Sequence, residues 1–309
     1  MTLGSFIADV SQRLSVHYAP QECKVMAVRM LKECIEGYKG YEHLVSPDTP
    51  LNEFTLAGHL SGREENLPSF LEGCAGRLSQ GEPLQYVLGY EWFCGHRFNV
   101  APGVLVPRPE TEELVQLAAR TLQRCTNARV LDICSGSGCI TWSVAAAFPK
   151  SKVYGCDISP AALEISKGQK IESDDAADTL AAAEFFECDI LSDDAGSVIE
   201  KACGEGKFNV IVSNPPYVCE EEKPLMHRNV LEYEPSLALF VPDSNPLLFY
   251  RRIAELAVGL LCGGGTLLFE INERFGAETL LMLQDLGYAD CKVVQDLFGK
   301  DRMVSAVLP

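Results

Sequence analysis

Two regions of the chain differ in the spacing of their hydrophobic residues. Residues 5–80 place apolar side chains three and four positions apart, as in FIADVSQRL, CKVMAVRMLKECI and LPSFLEGCAGRL, which predicts a bundle of amphipathic helices. From residue 128 onward, short apolar runs alternate with helical segments; the runs are ARVLDIC, KVYGCDIS, AEFFECDI, FNVIVSNP and GGTLLFEI. Strands that are apolar throughout are covered on both faces, so we expect a doubly wound α/β domain with a largely parallel sheet.

The segments around these runs complete the predicted layout. Residues 81–100 mix aromatic and β-branched residues with Gly89 and Gly95, which predicts a hairpin. The tail CKVVQDLFGKDRMVSAVLP predicts two last strands around Gly299 that close the sheet, and the acidic, alanine-rich residues 172–183 predict a solvated helix and loop. We therefore expect a helical domain at residues 1–80, a hairpin linker at 81–106 and a catalytic domain at 107–309.

Composition narrows the class of protein. With 309 residues, of which 47% are hydrophobic, the chain can bury a large core, yet no apolar stretch approaches the roughly 18 residues of a membrane span. We expect a cytoplasmic protein. The 13 cysteines are scattered without Cys-x-x-Cys spacing, which predicts reduced thiols and no metal site. A net charge of −17 disfavours binding to a nucleic-acid backbone and suits a basic protein surface as partner.

A strand that runs into a glycine turn and then a helix, VLDICSGSGCI at residues 130–140, is typical of a nucleotide-binding site. Gly136 and Gly138 allow the backbone to approach a ligand closely, and the following helix offers free N–H groups. The same pattern also fits a tight strand-to-helix turn without a ligand.

Two aspartates that end later strands favour a nucleoside. Asp157 lies 25 residues beyond Asp132, at a position where a carboxylate accepts hydrogen bonds from both ribose hydroxyls. The alternative role for Asp157, capping the next helix, suits Ser159 better. Asp189 can face an adenine edge in the same way, with Ile190 beside it.

These residues alone leave the identity of the nucleoside open, but S-adenosylmethionine fits this turn. A dinucleotide site would have a third glycine three positions after Gly138, where this chain has Thr141. The shorter turn preceded by Asp132 suits a ligand without a pyrophosphate, because the ammonium and carboxylate of a methionine part can meet the acid and the N–H groups of the turn.

The tetrapeptide NPPY at residues 214–217 follows the fourth apolar run. Proline fixes φ and lacks an N–H, so this segment should be a stiff turn at the sheet edge where ligands bind. The oxygens of Asn214 and Pro215 can accept both N–H groups of a planar nitrogen and aim it at a methyl group. Pro216 stiffens the turn, and Tyr217 offers a flat face for stacking. A rigid turn that only ends the strand would explain the prolines but not the tetrapeptide.

Longer segments resemble the HemK/PrmC family of protein-glutamine methyltransferases. These segments are GEPLQYVLGYEWFCGHRFNV, VLVPRPETEELV, LDICSGSGCI, VSNPPYV and YEPSLALF. The resemblance implies a Rossmann-like, seven-stranded, S-adenosylmethionine-dependent methyltransferase. Its substrate would be the glutamine amide (N5) of the Gly-Gly-Gln loop in peptide chain release factors, and its second product S-adenosylhomocysteine. On this hypothesis the helical domain and the hairpin help to dock the release factor.

Carried over by position, the resemblance implies roles for individual residues. It places the methionine part of the cofactor against Cys134, Ser135, Gly136, Ser137 and Gly138. It also implies that Asp157 holds the ribose, that Asp189 and Ile190 flank the adenine, and that residues 214–217 hold the substrate amide. Two positions depart from the family pattern, since Cys134 stands where the family often has glycine and Ile190 where some members have tryptophan.

Three residues in the matching segments stay open. Arg108 and Glu110 in RPETE either shape the mouth of the active site or only begin a helix. Glu234 in YEPSLAL is equally open between contact with the substrate loop and a local turn.

Three functions compete on this sequence. The first is the protein-glutamine methyltransferase, working as a monomer on release factors without nucleic acid or membrane. The second is an N6-adenine methyltransferase on DNA or RNA, which would need a basic surface or a target-recognition domain that the sequence does not indicate. The third is a catalytically silent nucleoside-binding protein. The acidic charge and the resemblance favour the first.

Overall fold

The computed structural model describes residues 1–36, 38, 46–60, 66–173 and 176–309. The α-helices in this part of the chain are α1 (Leu3–Leu14), α2 (Pro20–Cys34), α3 (Leu67–Ser79), α4 (Leu84–Leu88), α5 (Pro109–Leu122), α6 (Cys139–Ala147), α7 (Pro160–Lys167), α8 (Ala195–Cys203), α9 (Arg228–Tyr233), α10 (Leu248–Leu260) and α11 (Gly276–Asp285). The strands are β1 (Tyr90–Phe93), β2 (His96–Asn99), β3 (Arg129–Ile133), β4 (Lys152–Asp157), β5 (Glu172–Ser173), β6 (Ala176–Leu180), β7 (Glu184–Glu187), β8 (Phe208–Ser213), β9 (Val218–Cys219), β10 (Phe240–Val241), β11 (Leu261–Glu270), β12 (Ala289–Gln295) and β13 (Asp301–Val307).

The described chain divides into two compact units. One consists of Met1–Gly89 with His227–Tyr233, and the other of Tyr90–Met226 with Glu234–Pro309. The first unit therefore extends beyond residue 80, and the β1–β2 hairpin lies in the second unit. The assignment of functions to the parts of the chain stays a prediction.

The first unit is helical, as the hydrophobic spacing predicts. α1 begins at a capping box in which Thr2 and Ser5 exchange hydrogen bonds between side chains and backbone N–H groups. The buried side chains of α1 are Leu3, Phe6, Ile7, Val10 and Leu14. α2 begins with Pro20 in its first turn, where the missing N–H has no intrahelical partner to lose. Apolar faces of α1, α2 and α3 supply the core of this unit.

The second unit is built on a seven-stranded sheet in the order β12-β13-β11-β8-β3-β4-β7. Five neighbouring strands, from β11 to β7, run parallel, while β13 is antiparallel to both β11 and β12. The prediction of a doubly wound, seven-stranded methyltransferase sheet closed by a hairpin is confirmed.

The pairing of β8 with β3 positions the site. Ser213 lies opposite Ile133, and its hydroxyl donates a 2.6 Å hydrogen bond to the Ile133 carbonyl. Asn214 and Cys134 therefore leave neighbouring parallel strands at the same edge of the sheet, which is where doubly wound proteins bind ligands.

Two local predictions are wrong. The hairpin predicted over residues 81–100 is confined to β1 and β2, because residues 84–88 form α4 and Gly89, with φ 88°, ends that helix in the left-handed conformation. In the acidic stretch, β5 and β6 pair antiparallel where a helix was expected; residues 174 and 175 lie outside the described residues. The helix preference of alanine is weak enough for tertiary context to override it.

Candidate active site

A cavity of about 220 Å³ opens at the carboxyl ends of β3, β4 and β8 in the second unit. Most residues that the sequence predicted for the site line it. They are Cys134, Ser135, Gly136, Ser137, Asp157, Asp189, Ile190, Asn214 and Pro216. Four predicted residues are outside this described lining: Asp132, Gly138, Pro215 and Tyr217. The residues predicted from the sequence therefore lie at one cavity, and the structure shows which of them line it and which do not.

The turn between β3 and α6 has left-handed backbone at alternate positions. The φ angle is 62° at Cys134, 53° at Gly136 and 79° at Gly138. A Cβ atom on Gly136 would meet no atom within 4 Å, whereas one on Gly138 would lie 3.0 Å from Ser166 Cβ and 3.0 Å from Trp142 Cδ1. Gly138 is therefore required for close packing as well as for its conformation, while Gly136 leaves open space at the cavity wall.

Cys134 has a conformation that favours glycine. The left-handed region costs a residue with a Cβ atom about 1 kcal/mol. Burial raises the pKa of the Cys134 thiol well above its ordinary value, so the side chain is neutral. The turn therefore accepts a small apolar side chain at its first position, at a cost in backbone strain.

Asp157, at the end of β4, contacts both neighbouring turns. Its Oδ2 accepts a 2.8 Å hydrogen bond from the Gly136 N–H, and its Oδ1 accepts a 2.9 Å bond from the Ser159 N–H. Ser159 caps α7 by accepting from the Ala162 N–H at 3.2 Å, as predicted, while the ribose-binding role of Asp157 stays a prediction. Burial raises the pKa of Asp157, and the backbone N–H groups oppose that rise. A carboxylate oxygen has room for further donors beside these bonds.

Asp132 is fully buried in β3. Its Oδ2 accepts bonds from the Thr141 N–H at 3.1 Å and the Thr141 hydroxyl at 2.6 Å, which gives the threonine at the missing third glycine position a structural use. Burial raises the pKa of Asp132 to about 7 against these two bonds. The Asp132 Oδ1 and the Ser135 hydroxyl have no partner among the described residues. Buried polar atoms of this kind fit a ligand with amine and hydroxyl donors.

Asp189 and Ile190 follow β7. Asp189 is exposed and its Oδ1 accepts a 2.9 Å bond from the Leu191 N–H, which fixes the carboxylate at the cavity rim. Ile190 is buried, and both residues line the cavity. The pair offers one acceptor and one apolar surface, which fits a heteroaromatic base.

The NPPY turn is held by its side chains. The Asn214 Nδ2 donates to the Thr111 hydroxyl at 3.3 Å. The Tyr217 hydroxyl donates to Glu270 Oε1 at 3.1 Å, and the Tyr217 carbonyl accepts from Asn272 Nδ2 at 3.2 Å. Burial and the neighbouring carboxylate raise the pKa of Tyr217, so its hydroxyl keeps its proton and acts as donor. Stacking of a substrate on Tyr217 stays a prediction.

Thr111 and Glu270 are two members of the site that the sequence reasoning missed. The Thr111 hydroxyl donates a 2.7 Å bond to Glu270 Oε2, and both residues are buried. Thr111 lies in the RPETE segment between Glu110 and Glu112, and Glu270 ends the apolar strand β11. A glutamate at the end of a buried strand next to the predicted ligand edge was the available signal.

Arg108 and Glu234 meet at the loop before α5. Glu234 is buried, its Oε2 accepts a 3.0 Å bond from the Val106 N–H, and its Oε1 lies 2.5 Å from Arg108 Nη2. Arg108 lines the cavity. Pro109 begins α5 with Glu110 in its first turn, which is the helix-start role considered for that acid. Glu234 therefore fastens the loop that carries Arg108 along the cavity wall.

Neither a metal centre nor a membrane segment is found in the part of the chain described. No three side chains of His, Cys, Asp or Glu there come together as metal ligands would. None of its helices has the length and apolar character needed to cross a bilayer.

The sequence matches the family model described as the methyltransferase small domain over residues 110–233. A protein of Bacteroides thetaiotaomicron named release factor glutamine methyltransferase is 40% identical over 304 residues, which cover 98% of this chain and 99% of that protein. This chain belongs to the release factor glutamine methyltransferase family. Membership confirms the resemblance, and catalysis in this methyltransferase depends on S-adenosylmethionine.

Two further similarities accompany this one. A release factor glutamine methyltransferase of Flavobacterium psychrophilum is 40% identical over 232 residues, 74% of this methyltransferase and 76% of that protein. A crystal structure of a release-factor-specific protein-(glutamine-N5) methyltransferase from Alicyclobacillus acidocaldarius is 26% identical, with 68% of this chain and 99% of that chain covered and a TM-score of 0.42. The family assignment of this methyltransferase rests on the sequence relatives.

Proposed function

We propose that this enzyme methylates the side-chain amide nitrogen of the glutamine in the Gly-Gly-Gln motif of release factors and that the NPPY turn holds this amide. The observation that carries the proposal is the orientation of Asn214. Its Nδ2 is engaged by the Thr111 hydroxyl, which leaves its Oδ1 available as an acceptor at the cavity wall. An acceptor at this place is what a donor nitrogen requires.

The chemistry explains why two acceptors are needed. An amide nitrogen is a weak nucleophile because its lone pair is delocalised into the carbonyl. Bonds from its two hydrogens to Asn214 Oδ1 and the Pro215 carbonyl would raise electron density on nitrogen and fix its direction. Pro215 and Pro216 lower the entropy that is lost when the turn orders around the substrate. In the transfer the new N–C bond would form as the S–CH3 bond of the sulfonium breaks, its electron pair would stay on sulfur, and one of the two amide protons would pass to water.

S-adenosylmethionine, when bound, supplies an electrophilic methyl group on a sulfonium centre and leaves as S-adenosylhomocysteine. The turn at residues 134–138 would hold its methionine part, with the unpartnered Ser135 hydroxyl and Asp132 Oδ1 as acceptors nearby. Asp157 would accept from the ribose hydroxyls, and Asp189 with Ile190 would flank the adenine. The cavity, the acceptors and the apolar rim are the support for this arrangement.

The choice of a protein substrate is supported by charge and by family. A net charge of −17 repels a phosphate backbone and favours a basic protein surface, so we propose action on release factors in the cytoplasm without nucleic acid. The helical unit is proposed to help dock the release factor, and the enzyme to work as a monomer. The alternative, N6-adenine methylation of DNA or RNA, would use the same NPPY turn.

One incubation separates these functions. The enzyme is mixed with methyl-labelled S-adenosylmethionine, purified release factors and duplex DNA, and label is followed into each. We expect label in the release factor at its Gly-Gly-Gln glutamine and none after Gln→Asn replacement there. Label in DNA alone would overturn the proposal, and intact cofactor binding without any transfer would favour a silent binding protein.

A further inference from the structure

Glu270 is a buried carboxyl group that is linked to Asn214 by two hydrogen bonds through Thr111. It is 2% exposed at the end of β11, and both of its oxygens are used. Oε2 accepts from Thr111 at 2.7 Å and Oε1 accepts from the Tyr217 hydroxyl at 3.1 Å. Burying a carboxylate costs free energy unless hydrogen-bond donors compensate it, and Thr111 and Tyr217 provide those donors here.

The hydrogen bonds from Asn214 through Thr111 to Glu270 allow only one assignment of donors and acceptors when Glu270 is ionised. A carboxylate can only accept, so the single hydroxyl hydrogen of Thr111 points to Glu270. The Thr111 oxygen can then only accept from Asn214, and it receives the Nδ2–H of that amide at 3.3 Å. The amide oxygen of Asn214 must point elsewhere.

We propose that Glu270 is a positioning residue that, through Thr111, turns the Asn214 amide so that its Oδ1 accepts the substrate N–H. The proposal rests on the proposed function of the NPPY turn. The same carboxylate holds the Tyr217 hydroxyl, so one buried charge fixes both ends of the tetrapeptide.

Protonation of Glu270 removes the order. A carboxylic acid can donate to Thr111, which then can donate to Asn214 Oδ1, and the amide loses its preferred orientation. Burial raises the pKa of Glu270; the bonds from Thr111 and Tyr217 and the charge of Arg302 on β13 oppose the rise, and Glu110 on α5 adds to it. Tyr250 on α10 also faces this carboxylate and stays neutral because burial raises its pKa.

The expected direction with pH follows from these charges. As the pH falls through the pKa of Glu270, the carboxylate gains a proton, the order of donors is lost and kcat declines. Asp157 and Asp132, whose pKa values burial also raises, titrate in the same direction but act on cofactor binding, so kcat must be measured with saturating S-adenosylmethionine. The fall of kcat at low pH then reports the protonation of Glu270.

The test compares Glu270→Gln with a pair of variants at Thr111. Glutamine has nearly the shape of glutamate but offers an N–H donor, so we expect kcat to fall about 100-fold, the scale for one misplaced transition-state hydrogen bond. The Kd for S-adenosylmethionine and the KM for the release factor should change less than about 3-fold. Thr111→Val should lower kcat similarly, and Thr111→Ser, which keeps the hydroxyl, should restore most of it.

The pH profile of kcat separates a positioning role from a packing role, because the loss of packing alone would leave the pH dependence unchanged. Glu270→Gln should lose the acid limb of kcat. Glu234→Gln changes another buried carboxylate, one that takes no part in the hydrogen bonds between Asn214, Thr111 and Glu270, and should keep the acid limb. Wild-type kcat and an unchanged acid limb in Glu270→Gln, or full activity in Thr111→Val, would overturn the proposal. If Glu270→Gln does not fold, the Thr111 pair decides alone; failure of the wild-type enzyme to label any release factor would instead contradict the proposed function.

An independent observation concerns the loop between β12 and β13, residues 296–300, here named the hairpin tip. Leu297 and Phe298 are 88% and 82% exposed, among the most exposed large apolar side chains in the described chain. Turn positions are ordinarily polar or glycine, so an adjacent pair of exposed large apolar residues is unusual there.

The hairpin tip is held firmly by one carboxylate. The Asp296 side chain accepts from the Phe298 N–H at 2.9 Å, the Lys300 N–H at 3.0 Å and Arg302 Nε at 3.2 Å. The Leu297 N–H donates to Glu113 of α5 at 3.2 Å. The two apolar side chains are therefore presented on an ordered backbone, which lowers the entropy lost when they are covered.

The hairpin tip projects from the same edge of the sheet as the NPPY turn. Met303 lies opposite Glu270, and Lys300 is three residues, about 10 Å of extended chain, beyond that pair. Glu113, which holds the tip, is two residues after Thr111 in α5. A protein whose loop enters the NPPY site would thus come close to Leu297 and Phe298.

We infer that the hairpin tip contacts the protein substrate, with Leu297 and Phe298 packing on an apolar patch of the release factor beside its glutamine loop. This inference rests on the proposed protein substrate. It commits to the release factor as the occupant, because a small amide would not reach a surface outside the cavity and a phosphate backbone would suit neither the two apolar side chains nor the net charge of −17.

The test uses the double variant Leu297→Ala/Phe298→Ala. We expect the KM for full-length release factor to rise about 10-fold, the loss expected for removing two partly buried anchors, with kcat and methylation of a short Gly-Gly-Gln peptide changed less than about 2-fold. Leu281→Ala, at a 61% exposed position on α11, is the matched control and should leave both substrates unaffected.

Two outcomes would overturn this inference. One is an unchanged KM for the release factor in the double variant. The other is a wild-type dimer in sedimentation that the double variant converts to a monomer with unchanged KM, which would make the hairpin tip a contact between copies of the enzyme. If neither the protein nor the peptide is labelled by the wild type, the proposed function fails instead.

Discussion

The turns that follow the neighbouring strands β3 and β8 differ in what shapes them. The glycine turn after β3 is shaped mainly by its left-handed backbone and by local bonds such as the 2.8 Å bond from the Gly138 N–H to the Ser135 carbonyl, while Asp157 and Gln169 bind its backbone from outside the motif. The NPPY turn after β8 is held by side chains from distant parts of the chain. Thr111 lies 103 residues before Asn214, and Glu270 lies 53 residues after Tyr217.

This difference matches the two tasks. A cofactor presents the same groups to the enzyme in each cycle, and backbone N–H groups on a short turn can serve it. A substrate amide needs an acceptor with a fixed direction, and a side-chain amide has two possible orientations unless a neighbour selects one. The buried chain through Thr111 to Glu270 provides that selection.

The largest effect should come from Asn214→Ala. Removal of the side-chain acceptor should lower kcat at least 100- to 1000-fold, since it is used when charge develops on the amide nitrogen. The Kd for S-adenosylmethionine, measured by calorimetry, should change less than about 5-fold because the glycine turn is intact. Turnover close to that of the wild type would mean that the substrate amide is held elsewhere.

Asp157→Ala should weaken cofactor binding and largely spare kcat, the opposite of the result expected for Asn214→Ala. This carboxylate is proposed to bind the ribose, and hydrogen bonds to charged groups contribute about 1.5–3 kcal/mol, so the cofactor Kd should rise about 10- to 100-fold. At saturating cofactor, kcat should stay within about 5-fold. Asp157→Asn, which keeps one acceptor oxygen, should lose less affinity, and equal losses in both variants would place the effect on the Gly136 turn.

The same contrast explains what the sequence could predict. The glycine turn, Asp157 and the alternation of strands and helices lie in contiguous segments with regular spacing, so periodicity and motif are enough to locate them. Thr111 and Glu270 enter the site only through tertiary contacts between α5, β8 and β11. No local pattern says which of several glutamates near a strand end will be buried against a distant threonine.

The two wrong local predictions have a related cause. Residues 84–88 contain aromatic and β-branched residues that favour strands, but α4 buries Leu84, Tyr86, Val87 and Leu88 in the first unit. In the acidic stretch, strand pairing displaced a helix whose support was composition alone. Where propensity is weak, burial and pairing decide the outcome.

A smaller effect is expected from Glu234→Ala, which tests a long-range contact on the loop before α5. The Val106 N–H would lose its acceptor and Arg108 its partner, so the free energy of unfolding should fall by about 1–3 kcal/mol in denaturant titrations. Glu234→Gln keeps an acceptor for the N–H and should lose about half as much. Equal stability of all three proteins would show that this contact does not hold the loop.

The smallest effect is expected at Cys134, where the glycine turn departs from the family pattern. Its φ of 62° costs about 1 kcal/mol for any residue with a Cβ atom, and a glycine would be free of that strain. At ordinary positions alanine is more stable than glycine by about 0.4–1 kcal/mol, because glycine loses more backbone entropy on folding. Cys134→Gly should therefore equal or exceed Cys134→Ala in free energy of unfolding, the reverse of the usual order, while both bind the cofactor within about 3-fold of each other. If the alanine variant proves more stable by the usual margin, the left-handed turn is not strained, and the contrast between a backbone-built cofactor side and a side-chain-built substrate side would lose one of its supports.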